Sequence, residues 1–440
     1  MILQNYWFTT LMGLKDPIQP PLTTDIEADI LIVGGGAAGL AAAYAVMGKG
    51  IRVVLLERNI CGGSSTGKSA GFLTPDSELE LSQLIRRFGN TDAKNLWGLA
   101  AKASQDIAGI IKKHGIQCDL QEQESLYLGN NASGYKEIIA ESEARTSLGY
   151  TQTLYDKDAI KSLIGSSTYS GGVRYAGTYG INPLLYAQGM KRVLLDHGVS
   201  IYEGSEVKEL KGNTVKTHLG SVKAAKIIFC VDKIKKDLSH FARNIYHAQT
   251  FLSISEILEP EDVQSLFPNG NFQCWDSDLV YSYFRLTGDN RLLLGGGSML
   301  TTFSRNDVTS PSVMNSVIKK FKAKFPQLHH LEFMQYWPGR IDTTRDLIPT
   351  VAIDPKAPHV HFVLGCVGLP WATLCGDFAA RHAFDDAGCT DHMCYEYFRP
   401  DRDFLIPLWM ERFLGKQLVF SLNNGWAKYY QKDPPMGVER

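Results

Sequence analysis

The stretch ILIVGGGAAGL, Ile30 to Leu40, constrains this chain more than any other. Four apolar residues run directly into three glycines and then into small residues at helical spacing. That is the pattern of a buried parallel strand turning sharply into a helix. Gly34 allows the tight turn, Gly36 lets backbone approach a pyrophosphate, and Gly39 lets helix and strand pack closely. The helix start at Ala37 and Ala38 then offers N–H groups and a positive dipole end to phosphates. A second apolar strand, Ile51 to Leu56, ends in Glu57. The ribose-binding acid of a dinucleotide fold belongs at about that offset, ≈ 20 residues past the glycines. A glycine-rich turn in some other α/β protein is the alternative, and the flanking strands and terminal acid count against it.

Bulk properties exclude several classes. The chain has 440 residues and a formal net charge of −1, with no basic stripe of the kind that binds nucleic acid. No uninterrupted apolar run reaches the ~18 residues of a membrane span. The N-terminal MILQNYWFTTLMGLKDP is apolar and aromatic, yet it lacks a basic n-region and a small-residue cleavage site, so it reads as mature chain. The eight cysteines form no CxxC pair. Cys389, His392 and Cys394 lie close together without a second ligand pair, so no metal is expected, and the thiols read as the reduced cysteines of a cytoplasmic protein.

Beyond Glu57 the loop RNICGGSSTGKSAGFLTP is rich in glycine and hydroxyls and contains Lys68. Such a loop lines a ligand with N–H groups and hydroxyls, or else lies solvated on the surface. Helical periodicity runs from Leu79 to His114 and recurs in SGYKEIIAESEARTSLG and PSVMNSVIKKFKAKFP. GINPLLYAQGMKRVLLDHGVSIYEG starts a second α/β stretch, and IIFCVD is an apolar run of the buried-strand kind. SYFRLTGDNRLLLGGG reads as a hairpin. HVHFVLGCVGL is again a strand entering a Gly turn and a helix.

The two Gly turns and the second α/β unit together resemble the D-amino-acid oxidase (DAO) family of flavoproteins. The resemblance rests on YWFTT…PPL…ADILIVGGG, HGIQCDL, GINPLLYAQGM, YFRLTGDNRLLLGGG, WPGRIDTTRDLIP and GCVGL. It is nearest to the gamma-glutamylputrescine oxidoreductase branch, with glycine oxidase and DadA-like members as relatives. The implied fold is α/β (α+β overall), with a discontinuous Rossmann-like FAD-binding domain (28–75, 150–240, 335–390). An antiparallel-sheet substrate domain (76–149, 241–334) covers it, flanked by an N-terminal arm (1–27) and a C-terminal tail (391–440). The implied cofactor is FAD. A nicotinamide enzyme needs one Gly turn, and nothing obliges its chain to return with another near Gly365. Carried over from the family, Gly34, Gly36, Ala37, Ala38 and Gly39 hold the pyrophosphate, Glu57 holds the adenosine ribose, and Arg58 lies beside it. Ser64, Ser65 and Thr66 follow the pyrophosphate and ribityl chain, with Lys68, Ala70 and Gly71 in the same loop. Val207 meets the adenine, while Gly339, Gly365, Val367, Gly368 and Leu369 stand at the flavin.

The implied chemistry is oxidation of a C–N bond of an amine or amino acid, under aromatic walls with few charges over the flavin. Oxygen or another electron acceptor then reoxidises the flavin. With no His from Cys61 to Gly71 and no Cys in RIDTTRDLIP, the FAD is expected to be non-covalent. In amino-acid members an Arg clamps the substrate carboxylate. Here that position falls on Ile341, with Arg340 one residue early and therefore expected on the opposite strand face. Arg285 is the other candidate clamp and shares a face with Tyr283 by period two, or else is a surface cross-strand arginine. Lys68 is a candidate for tuning the flavin, or a solvent-facing lysine. Trp371 is a candidate substrate wall, or a core tryptophan. Two alternatives to a cytoplasmic oxidase stand. One is a dehydrogenase serving a quinone or carrier protein, with the tail DFLIPLWMERFLGKQLVF resting on a membrane surface. The other is a flavin-binding module without turnover.

Overall fold

The apolar run that opens the Gly motif sits at the centre of an eight-stranded sheet. This holds in the computed structural model, which describes residues 1–13, 17–76, 78–235, 237–298, 307–384, 396–402, 408–416, 418–419 and 422. Five strands run parallel in the order Ser200–Tyr202, Val53–Leu56, Ile26–Val33, Ser221–Phe229 and Ala357–Leu364. Antiparallel strands at Thr214–Lys216, Glu209–Lys211 and Thr350–Asp354 extend it. Ile30, Ile32, Val53 and Leu55 enter one apolar core, and Leu31, Val33, Val54 and Leu56 enter another. Burial on both faces explains why these strands read as unbroken apolar runs.

Two helices stack over one face. Ala37–Val46 follows the first strand, and Leu369–Phe384 returns from the far end of the chain to cross it. A Cβ on Gly376 would lie 2.0 Å from the Ala38 carbonyl oxygen, so the crossing depends on that glycine.

The second sheet has nine strands, in the order Ile2–Leu3, Phe333–Thr343, Tyr246–Ile257, Arg291–Gly296, Tyr283–Leu286, Phe272–Asp276, Glu124–Gly129, Gly171–Tyr175 and Thr153–Asp156. It is antiparallel except at its Ile2–Leu3 edge and between Phe272–Asp276 and Glu124–Gly129. The expected hairpin forms, with Tyr283 opposite Gly295 and Leu286 opposite Leu292.

The sheets divide the chain differently from the expected boundaries. Thr153–Asp156 and Gly171–Tyr175, expected with the FAD-binding unit, pair into the second sheet through Glu124–Gly129. Phe333–Thr343 also belongs there, paired along Tyr246–Ile257. The N-terminal arm adds that sheet's edge strand. Conversely, the helical segment Leu81–His114, which turns at Gly89 (φ 79°), buries Leu96, Trp97, Ala100 and Ile107 in the core of the parallel sheet. Cys389, His392 and Cys394, and most of the tail, lie outside the described residues.

The arm also pins the loop after Glu57. Asn5 Nδ2 donates to the Gly67 carbonyl (2.6 Å), Trp7 Nε1 to Ser69 (2.9 Å), and Trp337 Nε1 to Lys68 (3.1 Å). Three side chains from distant segments thus satisfy carbonyls of a loop that has no sheet partner at these positions.

Candidate cofactor and substrate site

The carboxyl ends of the parallel strands open into a cleft of about 190 Å³, lined by Val33, Leu56, Phe229 and Val363. Open α/β sheets place their ligands at this edge. Gly34 has φ +108°, and a Cβ there would lie 2.3 Å from the Cys230 carbonyl oxygen. The Ala37 N–H donates to Thr66 Oγ1 (3.0 Å), which ties the helix start to the hydroxyl-rich loop. Gly36, Ala37, Ala38, Arg58, Ser64, Ser65, Thr66 and Val207 all line the cleft. Gly39 does not: a Cβ there would meet the Gly34 carbonyl oxygen at 1.8 Å, so its role is close packing under the turn. Glu57 lines the cleft while 7% exposed. Its Oε2 accepts from the Gly35 N–H and its Oε1 from the Asn59 N–H, both at 2.8 Å. Burial raises its pKa, and Glu203 nearby adds to the effect. Gly365 (φ +67°), Gly368 and Leu369 close the cleft from the second Gly turn.

A second cavity, of about 290 Å³, shares Ser65, Ser69, Ile341, Gly368 and Leu369 with the first, so the two adjoin across these residues. Lys68, Ala70, Gly71, Tyr283, Gly339, Arg340 and Val367 line this second part. Burial lowers the Lys68 pKa, and Asp307 partly opposes the shift. Arg340, expected on the opposite strand face from Ile341 as a scaffold or flavin-side arginine, stands at the preceding position of strand Phe333–Thr343; both residues border the cavity, and Arg340 Nε lies 3.1 Å from Asp307 Oδ1.

Arg285 and Trp371 do not line either cavity. Arg285 is not a surface residue. It is fully buried, and it donates to the carbonyls of Ala70 (Nε, 2.9 Å), Leu286 (Nη1, 3.0 Å) and Ile181 (Nη2, 2.5 Å). Period two did place it on the face of Tyr283, but the Ala70–Gly71 loop lies between its guanidinium and the cavity. Trp371 is 2% exposed and packs edge-on against Phe398 at 5.9 Å.

The glycine cradle, the exposed helix start, the buried acid and the adjoining cavities suit a dinucleotide with a ring system at its far end. Comparison with known proteins decides which one. The family model described as "FAD dependent oxidoreductase" (DAO) matches residues 29–382. The chain belongs to the DAO family. This DAO-family enzyme is 30% identical over 360 residues to a probable oxidoreductase, OrdL, of Haemophilus influenzae, which covers 79% of this chain and 80% of the relative. It is 28% identical over 337 residues to the gamma-glutamylputrescine oxidoreductase of Escherichia coli, covering 74% and 77%. Its fold matches the crystal structure of glycine oxidase from Geobacillus kaustophilus with TM-score 0.74 and 17% identity, over 86% of this chain and 99% of that one. Among the described residues, no helix is long and apolar enough to cross a membrane, and no cluster of His, Cys, Asp and Glu suits a metal.

In this DAO-family enzyme the second cavity has the expected aromatic walls, from Phe72, Tyr127, Trp275, Tyr281 and Tyr283. The expectation of few charges fails. Asp76, Glu78 and Glu80 line it, joined by Asp276 and Asp278. The signal was in TPDSELEL, where acids recur at every second residue just past the loop. Burial, with Asp76 adding, pushes the Glu78 carboxyl up to about 7. Its folded-state pKa therefore lies above the ordinary 4.5. The native state binds the proton more tightly than the unfolded chain, and stability falls as pH rises from about 4.5 to about 7. Glu78→Gln is expected to flatten that part of the melting-temperature profile. A slope identical to wild type would exclude Glu78 as its source.

Proposed function

We propose that the chain binds FAD non-covalently along the cleft and oxidises a C–N bond of an amine held in the second cavity. Gly34, Gly36, Ala37 and Ala38 would face the pyrophosphate, Glu57 a ribose hydroxyl and Val207 the adenine. Gly365, Gly368 and Leu369 would meet the pyrimidine edge of the flavin, where the positive N-terminal end of helix Leu369–Phe384 would stabilise negative charge gathering on the ring. Bound FAD would supply a two-electron acceptor for oxidation of the carbon next to a neutral amine to an imine, whose hydrolysis would give a carbonyl compound and ammonia.

The chain's own contribution is to position and dry the amine. The aromatic walls disfavour the ammonium form of the reacting nitrogen by desolvation. The observation that carries the reading is that the aromatic cavity adjoins the cofactor cleft at Ser65, Ser69, Ile341, Gly368 and Leu369. A substrate with a carboxylate beside the reacting carbon is disfavoured. Arg285 is committed to carbonyls, Arg340 pairs with Asp307, and Ile341 occupies the clamp position.

The test is anaerobic addition of amines and α-amino acids while the visible flavin absorbance is followed. Bleaching by amines is expected. Bleaching by α-amino acids alone would overturn the amine assignment, and no bleaching at all would leave a module without turnover. Helix Leu408–Leu414 supports a second reading of the oxidative half. Trp409 and Phe413 are 67% and 85% exposed there, as for a side resting on lipid near a membrane-bound acceptor. Admitting air to the bleached enzyme separates the two: prompt return of colour marks an oxidase, and persistent bleaching marks another acceptor.

A further inference from the structure

The second cavity is sorted by charge. Its cations, Lys68 and Arg340, come from stretches whose neighbours Ser65, Ser69 and Ile341 also border the cofactor cleft. Its carboxylates, Asp76, Glu78, Glu80, Asp276 and Asp278, border the second cavity alone.

Behind that acidic wall stand Arg145 and Lys324, and the Arg145 charge acts on Asp76 and Glu80 from beyond ion-pair distance. Arg145 Nε lies 2.9 Å from Glu141 Oε1, and its guanidinium stacks over the rings of Tyr175 (3.5 Å) and Trp97 (4.6 Å). Lys324 pairs with Asp276 at 2.9 Å. Among the described residues, no ion pair is made by Asp76, Glu78, Glu80 or Asp278. Neutral donors satisfy them only in part. Asp76 accepts from the hydroxyls of Thr74 and Tyr175. Glu78 accepts from the Tyr281 hydroxyl at 3.3 Å, and Glu80 Oε1 from Trp275 Nε1 at 2.8 Å. The Glu80 side chain also caps the helix start at Gln83, and among the described residues its buried Oε2 has no hydrogen-bond donor.

A buried acceptor without a donor is costly, and neighbouring carboxyls disfavour one another's charge. Both costs are relieved by a ligand that brings a positive charge and several N–H donors. An alkylammonium has three such donors, and the faces of Tyr127, Trp275 and Tyr281 add cation–π attraction. We propose that the substrate is an aliphatic diamine or polyamine, with one nitrogen oxidised at the cofactor end and a second, protonated nitrogen held by Glu78 and Glu80. This assignment rests on the amine-oxidising reading above and narrows its substrate class. Methylenes between the two nitrogens lie along the aromatic walls. A carboxylate in place of the second nitrogen meets like charge and is excluded.

The experiment uses the FAD-loaded protein and three probes of equal chain length: butylamine, the terminal diamine and the ω-amino acid. Anaerobic flavin reduction gives an apparent Kd and a limiting rate for each. The diamine is expected to bind on the order of tenfold to a hundredfold more tightly than butylamine, the range of a charge-assisted hydrogen bond, with the ω-amino acid weakest. In Glu78→Gln and Glu80→Gln, judged folded by their flavin content, the diamine's advantage is expected to shrink through its Kd more than through its limiting rate. Equal binding of butylamine and diamine, or preference for the ω-amino acid, would overturn the assignment while leaving amine oxidation intact. Reduction by none of the three, in a protein that α-amino acids do bleach, would overturn both. The comparison among probes in the unaltered protein decides the matter even where a variant does not fold.

Discussion

Gly39→Ala is expected to yield protein that is colourless and no longer binds FAD. The added Cβ would lie 1.8 Å from the Gly34 carbonyl oxygen and 3.4 Å from Ile32 Cγ2. The near neighbour is backbone, so no rotamer change removes the clash. Helix Ala37–Val46 must move off strand Ile26–Val33, or the Gly34 turn must open. Either movement displaces Gly36 and Ala37, which form the cleft wall at the helix start. Overpacking of this kind costs about 1–3 kcal/mol, and more where backbone must yield. The loss falls on the cofactor as well as on the fold, so FAD affinity is expected to drop by at least about a hundredfold, equivalent to ~2.7 kcal/mol. Fluorescence titration of the apoprotein with FAD measures this directly. Unchanged affinity would show that helix and strand can part without disturbing the cleft.

Arg285→Met is expected to act on stability rather than on substrate recognition. Its guanidinium is the donor to three buried carbonyls, on Ala70, Ile181 and Leu286. It is also close-packed: a Cβ on Gly71 would come within 3.0 Å of Nη2, and one on Gly180 within 2.8 Å of Nη1. Burial pushes its pKa down to about 10, a sign that the charge is tolerated for the hydrogen bonds it makes. A methionine fills the space and abandons the acceptors, each a loss of ~1–3 kcal/mol. A total of about 3 kcal/mol or more is expected in a denaturant unfolding curve. Wild-type stability, together with a large rise in KM confined to carboxylate-bearing substrates, would instead restore Arg285 as a clamp.

These two residues mark what was legible in the sequence and what was not. The Gly39 argument needs only local pattern, because strand, turn and helix are consecutive and their periodicities change within eleven residues, Ile30 to Leu40. The hairpin around Thr287–Asn290 and the second Gly turn were readable for the same reason. Arg285 was readable only as far as its strand face. Its acceptors come from Ala70 and Ile181, and no periodicity links positions so far apart. Strand membership failed likewise. Gly171–Tyr175 opens on two glycines, and its partner Glu124–Gly129 lies across an intervening helix. Asp76, Glu78 and Glu80 carry no signal of burial, because alternating acids after a loop normally mark a solvated edge. Only the approach of Trp275 and Tyr281 from the second sheet buries them.

The order of strands in the parallel sheet also sets a timetable for assembly. The strand carrying the first Gly turn emerges from the ribosome early, but Ser221–Phe229 must be made before it is flanked on both sides, and Ala357–Leu364 comes much later still. The second Gly turn follows that last strand, and its helix, Leu369–Phe384, is what covers Ala37–Val46. Chains grow at ≈ 5–20 residues per second, so for many seconds the nascent molecule displays an open glycine cradle and an uncovered apolar helix. During that interval the cleft lacks the wall that Gly365, Gly368 and Leu369 supply.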